Sequence, residues 1–572
     1  MRHFASLLIF SFLALLLLSA CTVPAPTCDQ EGISYPSGAH LAGDSLHLGI
    51  IDASRLFVND LPGALRTSQA TLAALDDVRW GYIEPSAPQD GAHDYVWNSP
   101  SAALDARVAA YQNAGFELVM VLRAWNPWAR SKGPEGGQAA VAASTPPRPE
   151  YLDDYEAWVQ AVVERYDGDG VDDFQGLVDV DGDGHPDPVR YFQIETDATT
   201  GVWWQGTTPE TTAAEYITLL RAAASGARRA SPHARILIAG STATDMLDRG
   251  PDASQLEEVV TSLNPAVCGA ITAFQQIVAA SDAYDIIAVH SMADYSGLPT
   301  LANWVATVGG ESKPVWLVGA TSAPALTADP QLVSVNPLYP LLGEALWESL
   351  RDVTAPNHDD VVLWYRAEQA RLAFKKWVMA AVSGFDAILM GYEQDRPNYQ
   401  NPDFGLRDLA FQGMTEPGDG TPEKRPVIYA LAMAQSHLSG YTDIQPIAGL
   451  PENVVGYTFT VEGQPVNALW YDDGVAAPPS QNNEIPVSKV LLTFHTPDDQ
   501  LLLFITPTQP GQTSPTVWQL TPENGVVNLM LDQTPVILRG HIEVIPRHQQ
   551  FLPLFRKCPK SEVQSPRSSE SD

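Results

Sequence analysis

Residues 189–241 read VRYFQIETDATTGVWWQGTTPETTAAEYITLLRAAASGARRASPHARILIAGS, and their pattern decides the fold. VRYFQIET is a short apolar run. TTAAEYITLLRAAASGARRA repeats apolar residues at three- and four-residue spacing, as the buried face of a helix does, and ARILIAGS is a second apolar run. Strand, helix and strand in that order make a parallel crossover unit. The unit recurs on both sides. Apolar runs at 47–52 (HLGIID), 77–83 (DVRWGYI), 116–123 (FELVMVLR), 283–291 (AYDIIAVHS), 313–320 (KPVWLVGA) and 385–392 (FDAILMGY) bring the count to eight. SAALDARVAAYQNAG, YLDDYEAWVQAVVERY and LWYRAEQARLAFKKWVMAAVSG supply helices between them. Eight such units over residues 45–445 predict an α/β chain folded as a (β/α)8 TIM barrel. An open doubly wound sheet shares this periodicity, but no glycine-rich phosphate loop follows the first run.

From residue 446 the texture changes to alternating runs divided by Pro, Gly and Asn: VVGYTFTVEG, VNALWYDDG, KVLLTFHTP, LLLFITPT and TPVILRGHIEVI. These predict a C-terminal antiparallel β-sandwich over 446–547, followed by a polar tail, 548–572. With 572 residues, 45% of them apolar, the chain can bury a core for both parts.

The first residues, MRHFASLLIFSFLALLLLSAC, have a short basic start, an apolar run and small residues before Cys21, the pattern of an export signal over 1–21. Leu18-Ser19-Ala20-Cys21 resembles a bacterial lipobox, which implies lipidation of Cys21; an ordinary signal cut near Ala20 is the alternative. Residues 22–44 read as a Pro, Ser and Gly tether. The expected location is therefore outside the cell membrane, held by lipid. A formal charge of −35, from 68 acidic and 33 basic residues, argues against nucleic acid or anionic lipid as a partner, because phosphate binding needs concentrated Lys and Arg. Cys28, Cys268 and Cys558 allow at most one disulfide after processing and lack zinc or redox spacing.

In a TIM barrel the chemistry sits at the C-terminal ends of the strands. The fourth run ends Gln193-Ile194-Glu195-Thr196-Asp197, the sixth ends His290-Ser291, and the eighth leads to Glu393 and Asp395. A buried carboxylate costs several kcal/mol unless it is paired, so Glu195 reads as ion-paired to Arg79, Arg123 or Arg190. Asp197, further along, reads as the rim acid. Trp80, Trp125, Trp128, Trp203, Trp204 and Trp316 lie at or near run ends. Trp80 and Trp316 read as core, whereas Trp125, Trp203 and Trp204 are placed to stack on a sugar ring, with Arg79, Arg123, Gln193, Glu195 and His290 supplying polar contacts. No second His is spaced to join His290 in holding a metal.

The order of these segments resembles the retaining (β/α)8 glycoside hydrolases of clan A, the group that includes cellulases, β-xylosidases and iduronidases. VRWGYIEPSAPQDGAHDYVWNSP is similar to their second-strand motif, RYFQIETDATTG to the fourth-strand acid motif, YDIIAVHS to strand six, KPVWLV to strand seven, and QARLAFKKWVMAAVSGFDAILM to the last helix and strand. The resemblance implies a carbohydrate partner, polysaccharide or oligosaccharide. It also marks two departures. The acid position, a Glu after Asn in the family, falls on Asp197 after Thr196, and the nucleophile position falls on Gly319; the aromatic expected after strand eight falls on Met390. Retaining hydrolysis needs two carboxyls about 5 Å apart, so the resemblance implies a glycan-binding barrel with hydrolysis lost or altered. An active glycosidase with Asp197 as acid and a relocated base, Asp294 or Glu393, is the first alternative, and a surface scaffold without carbohydrate the second. Glu311 precedes strand seven and would lie at the opposite end.

Asp179, Asp181, Asp183 and Asp187 occupy positions 1, 3, 5 and 9 of an acidic loop with Gly184 at position 6, the spacing that wraps a hard cation, although position 12 is Arg190. Asp167-Gly-Asp169-Gly-Val-Asp172-Asp173 repeats the chemistry nearby. Structural calcium is the expected metal. No motif calls for an organic cofactor.

Overall fold

The computed structural model of the chain describes residues 45–53, 60–133, 143–180, 184–199, 201, 203–208, 210–241, 265–291, 295–306, 308, 313–321, 343–396, 410–416, 422–473 and 488–545. The lipobox with Cys21, Cys28, Cys558, Asp181, Asp183, Asp294 and Glu311 lie outside the described residues.

Eight parallel strands form the barrel: β1 His47–Asp52, β2 Leu72–Arg79, β3 Glu117–Arg123, β4 Tyr191–Ile194, β5 Arg235–Leu237, β6 Ile287–Ser291, β7 Val315–Thr321 and β8 Ala387–Gly391. They are ordered β5-β4-β3-β2-β1-β8-β7-β6, and a parallel bridge between Leu237 and Ile286 joins β5 to the start of β6. The sheet therefore closes, which excludes the open doubly wound arrangement. Covered on both faces, these strands are continuous apolar runs; β8, AILMG, is buried throughout. The crossover helix Thr212–Ala230 buries a stripe that includes Tyr216, Leu219, Leu220, Ala223 and Ala227, whereas His358–Val382 is buried on all sides from Leu372 to Ala381.

The second strand is the one expectation that shifts markedly. It runs Leu72–Arg79, not 77–83, and Trp80–Ile83 is a helical turn. Asp76 and Asp77 lie inside it, where the register with β3 slips between Leu75 and Val78 and Asp77 takes φ +71°. The extra residue is a bulge, which re-aims side chains at a barrel rim. A second bulge sits in β7 between Leu317 and Ala320, with Gly319 at φ +70°. The strand continues past that glycine to Thr321.

The C-terminal domain begins at the strand Tyr441–Pro446, slightly earlier than residue 446. A six-stranded sheet, in the order Tyr441–Pro446, Val454–Val461, Gln464–Tyr471, Val536–Arg539, Leu501–Ile505 and Thr516–Leu520, faces a three-stranded sheet of Val526–Leu531, Val490–His495 and Glu543–Val544. Along the strand Gln464–Tyr471, alternate residues serve different cores: Val466, Ala468 and Trp470 join the barrel's apolar cluster, whereas Leu469 and Tyr471 pack within the sandwich. Polar contacts add to this joint. Trp470 Nε1 donates to Tyr295 Oη at 2.9 Å, and Lys375 Nζ lies 3.4 Å from Asp472.

Candidate functional site at the barrel mouth

The floor of the mouth is an ionic lattice on β2, β3 and the end of β4. Arg79 and Arg123 are opposite one another in the β2–β3 register, and both reach the same Asp77 oxygen, at 2.5 and 3.2 Å. Arg123 Nε also donates to Glu195 Oε2 at 3.3 Å, and the Ala124 amide donates to Glu195 Oε1 at 2.6 Å. Glu195 is fully buried; burial pushes its carboxyl upward and Arg123 works against that. The expected ion pair is thus present, with Arg123 as partner. Each arginine also lies against aromatic rings: Arg79 over Trp125 at 5.0 Å and Tyr82 at 5.4 Å, and Arg123 over Trp203 at 5.2 Å. Behind this wall a cavity of about 10 Å³, lined by residues such as Asp77, Arg79 and Arg107, has room for one water and none for a sugar.

Asp76 projects across the lumen. Thr196 Oγ1, beyond the end of β4, donates to Asp76 Oδ1 at 3.2 Å, although β3 separates the two strands. Both residues stay partly exposed. Burial of the carboxyl and the neighbouring charge of Asp77 raise the Asp76 pKa, with Arg123 opposing. Thr196 carries the link onward: its carbonyl accepts from His290 Nε2 at 3.0 Å, so that nitrogen bears the ring proton. His290 is 5% exposed and lies between two glycines. A Cβ on Gly240 would fall 2.2 Å from His290 Nε2, and one on Gly319 would fall 2.2 Å from Nδ1. Gly319 therefore makes room for an imidazole. Below it, buried Lys376 ties the ends of β6 and β7, donating to Ser291 O at 2.9 Å and Thr321 Oγ1 at 3.1 Å.

Several expected contacts fall elsewhere. Asp197 is fully buried rather than at the rim, and its Oδ1 accepts from the Thr199 amide at 2.7 Å and the Thr199 hydroxyl at 3.1 Å, which turns the carboxylate into a loop cap. Trp204, placed by sequence at the sugar site, is fully buried against Tyr216, with Nε1 donating to Thr212 O, because the loop folds its ring under helix Thr212–Ala230. Gln193 is 3% exposed and donates to Glu195 O. Arg79 and Arg123 are likewise buried, at 3% and 1% exposed. Of the eight expected sugar contacts, Trp125 and Trp203 alone keep a partly exposed ring. Trp80 and Trp316 are core. Trp128, half-buried, packs on Trp80 and donates to Glu84 O.

Sequence reasoning missed Asp76, Asp77, Tyr82 and Tyr392. Paired aspartates inside LAALDDVR were a signal, since carboxylates in a barrel strand demand partners. The aromatic after β8 is Tyr392, not Met390, which is buried in the strand; Arg396 lies over the Tyr392 ring at 5.2 Å. Arg396 also holds both oxygens of Glu393, at 2.5 and 2.6 Å, and the Ala53 amide donates to one of them. Glu393 is fully buried, and burial raises its pKa to about 7, with Arg396 opposing and Asp52 adding to the rise. It is a paired interior group, not an accessible base. Asp395 is bound to Arg366 and Arg425.

In the acidic loop, Asp179 accepts from the Gly184 amide at 2.8 Å, and Asp187 accepts from the Val180 amide at 2.5 Å. Asp167, Asp169 and Asp173 bring oxygens within 4.8 Å of one another.

The chain matches no family model and no curated protein sequence. Among solved structures it is similar to a monomeric β-xylosidase from Caulobacter crescentus CB15, with 12% identity, TM-score 0.50, and coverage of 89% of this chain and 98% of that one. It is also similar to a glucosidase from Croceicoccus marinus (13% identity, TM-score 0.49, 89% and 98% coverage) and a GH30 endoxylanase from Clostridium papyrosolvens C71 (11% identity, TM-score 0.46, 89% and 98% coverage). At such identities the likeness is one of fold alone.

Proposed function

We propose that this protein is a lipid-anchored, cell-surface glycan-binding barrel that does not carry out retaining glycoside hydrolysis. The observation that supports it is the pairing of Gly319 with His290. Val315–Thr321 contains no carboxylate, and the space beside its glycine holds an imidazole. Opposite, Asp197 caps Thr199 and has no exposed surface. A covalent glycosyl intermediate needs a nucleophile and an acid about 5 Å apart, both reaching the sugar. Neither expected position meets that demand.

Carbohydrate remains the best class of partner because the mouth keeps the parts that hold a sugar: partly exposed Trp125, Trp203, Tyr82 and Tyr392 around the polar centre Asp76–Thr196–His290. The lipid on Cys21 would supply the attachment, since the net charge of −35 disfavours adhesion to anionic headgroups. The test is an oligosaccharide binding panel run beside an aryl-glycoside and polysaccharide hydrolysis panel. Binding without turnover is expected. Hydrolysis abolished by Asp197→Ala would refute the loss of activity, and absence of binding across the panel would refute the carbohydrate reading. Palmitate labelling abolished by Cys21→Ala tests the anchor.

A further inference from the structure

We infer that Asp76 sets the charge class of sugar admitted to the mouth: glycans without carboxyl groups are accepted and uronic-acid glycans are rejected. This rests on the mouth being a glycan site and narrows what it takes.

The argument is one of charge balance. Arg79 and Arg123 face Asp77 and Glu195, at distances of 2.5 to 3.3 Å. Arg107, which lines the same small cavity as Asp77 and Arg79, lies 3.7 Å from Asp52, and Arg396 is bidentate on Glu393. Each of these guanidiniums already has a carboxylate, and Arg79, Arg107 and Arg123 are nearly inaccessible. Like the buried Asp197, which is held by Thr199, Asp76 has neutral donors: its side-chain oxygen accepts from the Thr196 hydroxyl and from the Asp77 amide at 2.7 Å. It is also partly exposed, whereas Asp52, Glu195, Asp197 and Glu393 are buried. A sugar entering between Trp125, Trp203 and Tyr392 thus meets an unbalanced negative charge. A hydroxyl or ammonium can donate to it, but a uronate carboxylate is repelled, and like-charge juxtaposition at an interface is strongly unfavourable.

The charged groups facing Asp76 are Asp77 on its own strand, Arg123 on β3, and Arg107 of helix Leu104–Asn113, which donates to the Asp76 carbonyl at 3.4 Å and to the Asp52 carbonyl at 3.3 Å. His290 reaches it through Thr196. The raised Asp76 pKa follows from burial and from Asp77.

The experiment measures affinity of the full chain for xylo-, cello- and glucosamine oligosaccharides and for oligogalacturonates, at pH 7.5 and near pH 5, with Asp76→Asn alongside. Asn keeps an oxygen for the Thr196 and Asp77 donors, so the fold is preserved. Uronates are expected to bind at least about tenfold more weakly than neutral sugars in the parent, with the gap closing in Asp76→Asn and narrowing in the parent at the lower pH. Uronates binding as tightly as neutral sugars, or a ranking unchanged by both the substitution and pH, overturns the inference and leaves the glycan site standing. Silence of the whole panel removes both. Should Asp76→Asn fail to fold, the comparison of uronates with neutral sugars in the parent decides, because equal affinities overturn the inference.

Discussion

Replacing Gly319 by Ala probes the centre of the mouth most directly. The substitution asks an L-residue to hold φ +70°, which costs roughly 1 kcal/mol, and sets a Cβ 2.2 Å from His290 Nδ1. No heavy atoms tolerate that separation, so the ring or the β7 bulge must move, and overpacking of this kind costs about 1–3 kcal/mol. A total loss of about 2–4 kcal/mol is expected. Gly240→Ala separates the two contributions: its Cβ meets the other side of the ring, also at 2.2 Å, without a positive φ, so it should lose about 1–3 kcal/mol from crowding alone. Each substitution is then combined with His290→Ala in a double-mutant cycle, read by denaturant midpoints with the barrel and sandwich transitions followed separately. Removing the ring should recover the crowding part, giving coupling of about 1–3 kcal/mol in both cycles, while the backbone cost at Gly319 persists. Coupling below about 0.5 kcal/mol in both cycles would refute the idea that the glycines exist to seat the imidazole. Gly319→Glu alone should fail to create hydrolysis for the same reason: its carboxylate cannot enter while the ring is there.

Asp197→Ala should destabilise the barrel by about 1–3 kcal/mol, because the Thr199 amide loses its acceptor, while Asp197→Asn, which keeps an oxygen, should cost much less; equal losses in a melting comparison would remove the capping role. Glu393, raised to about 7, binds its proton more tightly folded than unfolded, so its contribution is complete below about pH 4.5 and lost as pH rises to 7. Glu393→Gln should flatten a stability slope of at most about 1.4 kcal/mol per pH unit in that window, and an unchanged slope counts against the assignment. We propose that the acidic loops hold structural calcium; millimolar Ca²⁺ should raise the melting temperature over EDTA, and Asp167→Asn with Asp169→Asn should abolish the rise. No rise in the parent excludes a stabilising ion.

Eight buried strands and their amphipathic partners were legible in the sequence because burial on both faces leaves uninterrupted apolar runs, as in FELVMVLR and FDAILMGY. The second strand is displaced because its centre carries Asp76 and Asp77, so the apolar run read at 77–83 starts on Asp77 and omits residues 72–75. The cost of the two aspartates is met by Arg79, Arg123 and Thr196, and Thr196 comes from a distant part of the chain. The ion pair of Glu195 is legible because a carboxylate amid apolar neighbours requires a cation, and Arg123 is among the few available.

The tryptophans show the limit of such reading. Trp203 and Trp204 are adjacent in GVWWQG, yet one ring stays partly exposed beside Arg123 and the other is fully buried over Tyr216. Adjacent residues in an irregular loop point in unrelated directions, so no periodicity assigns a face. Gly319 has the same character. The family resemblance frames it as the position of an expected carboxylate. The structure gives it a partner instead: His290, seated between Gly319 and Gly240 and hydrogen-bonded to Thr196. Two glycines on different strands, each unable to bear a Cβ for the same ring, are a correlated requirement that no single stretch of chain displays. The mouth is therefore built around Asp76, Thr196 and His290, and a carboxylate placed at Gly319 would meet the His290 ring.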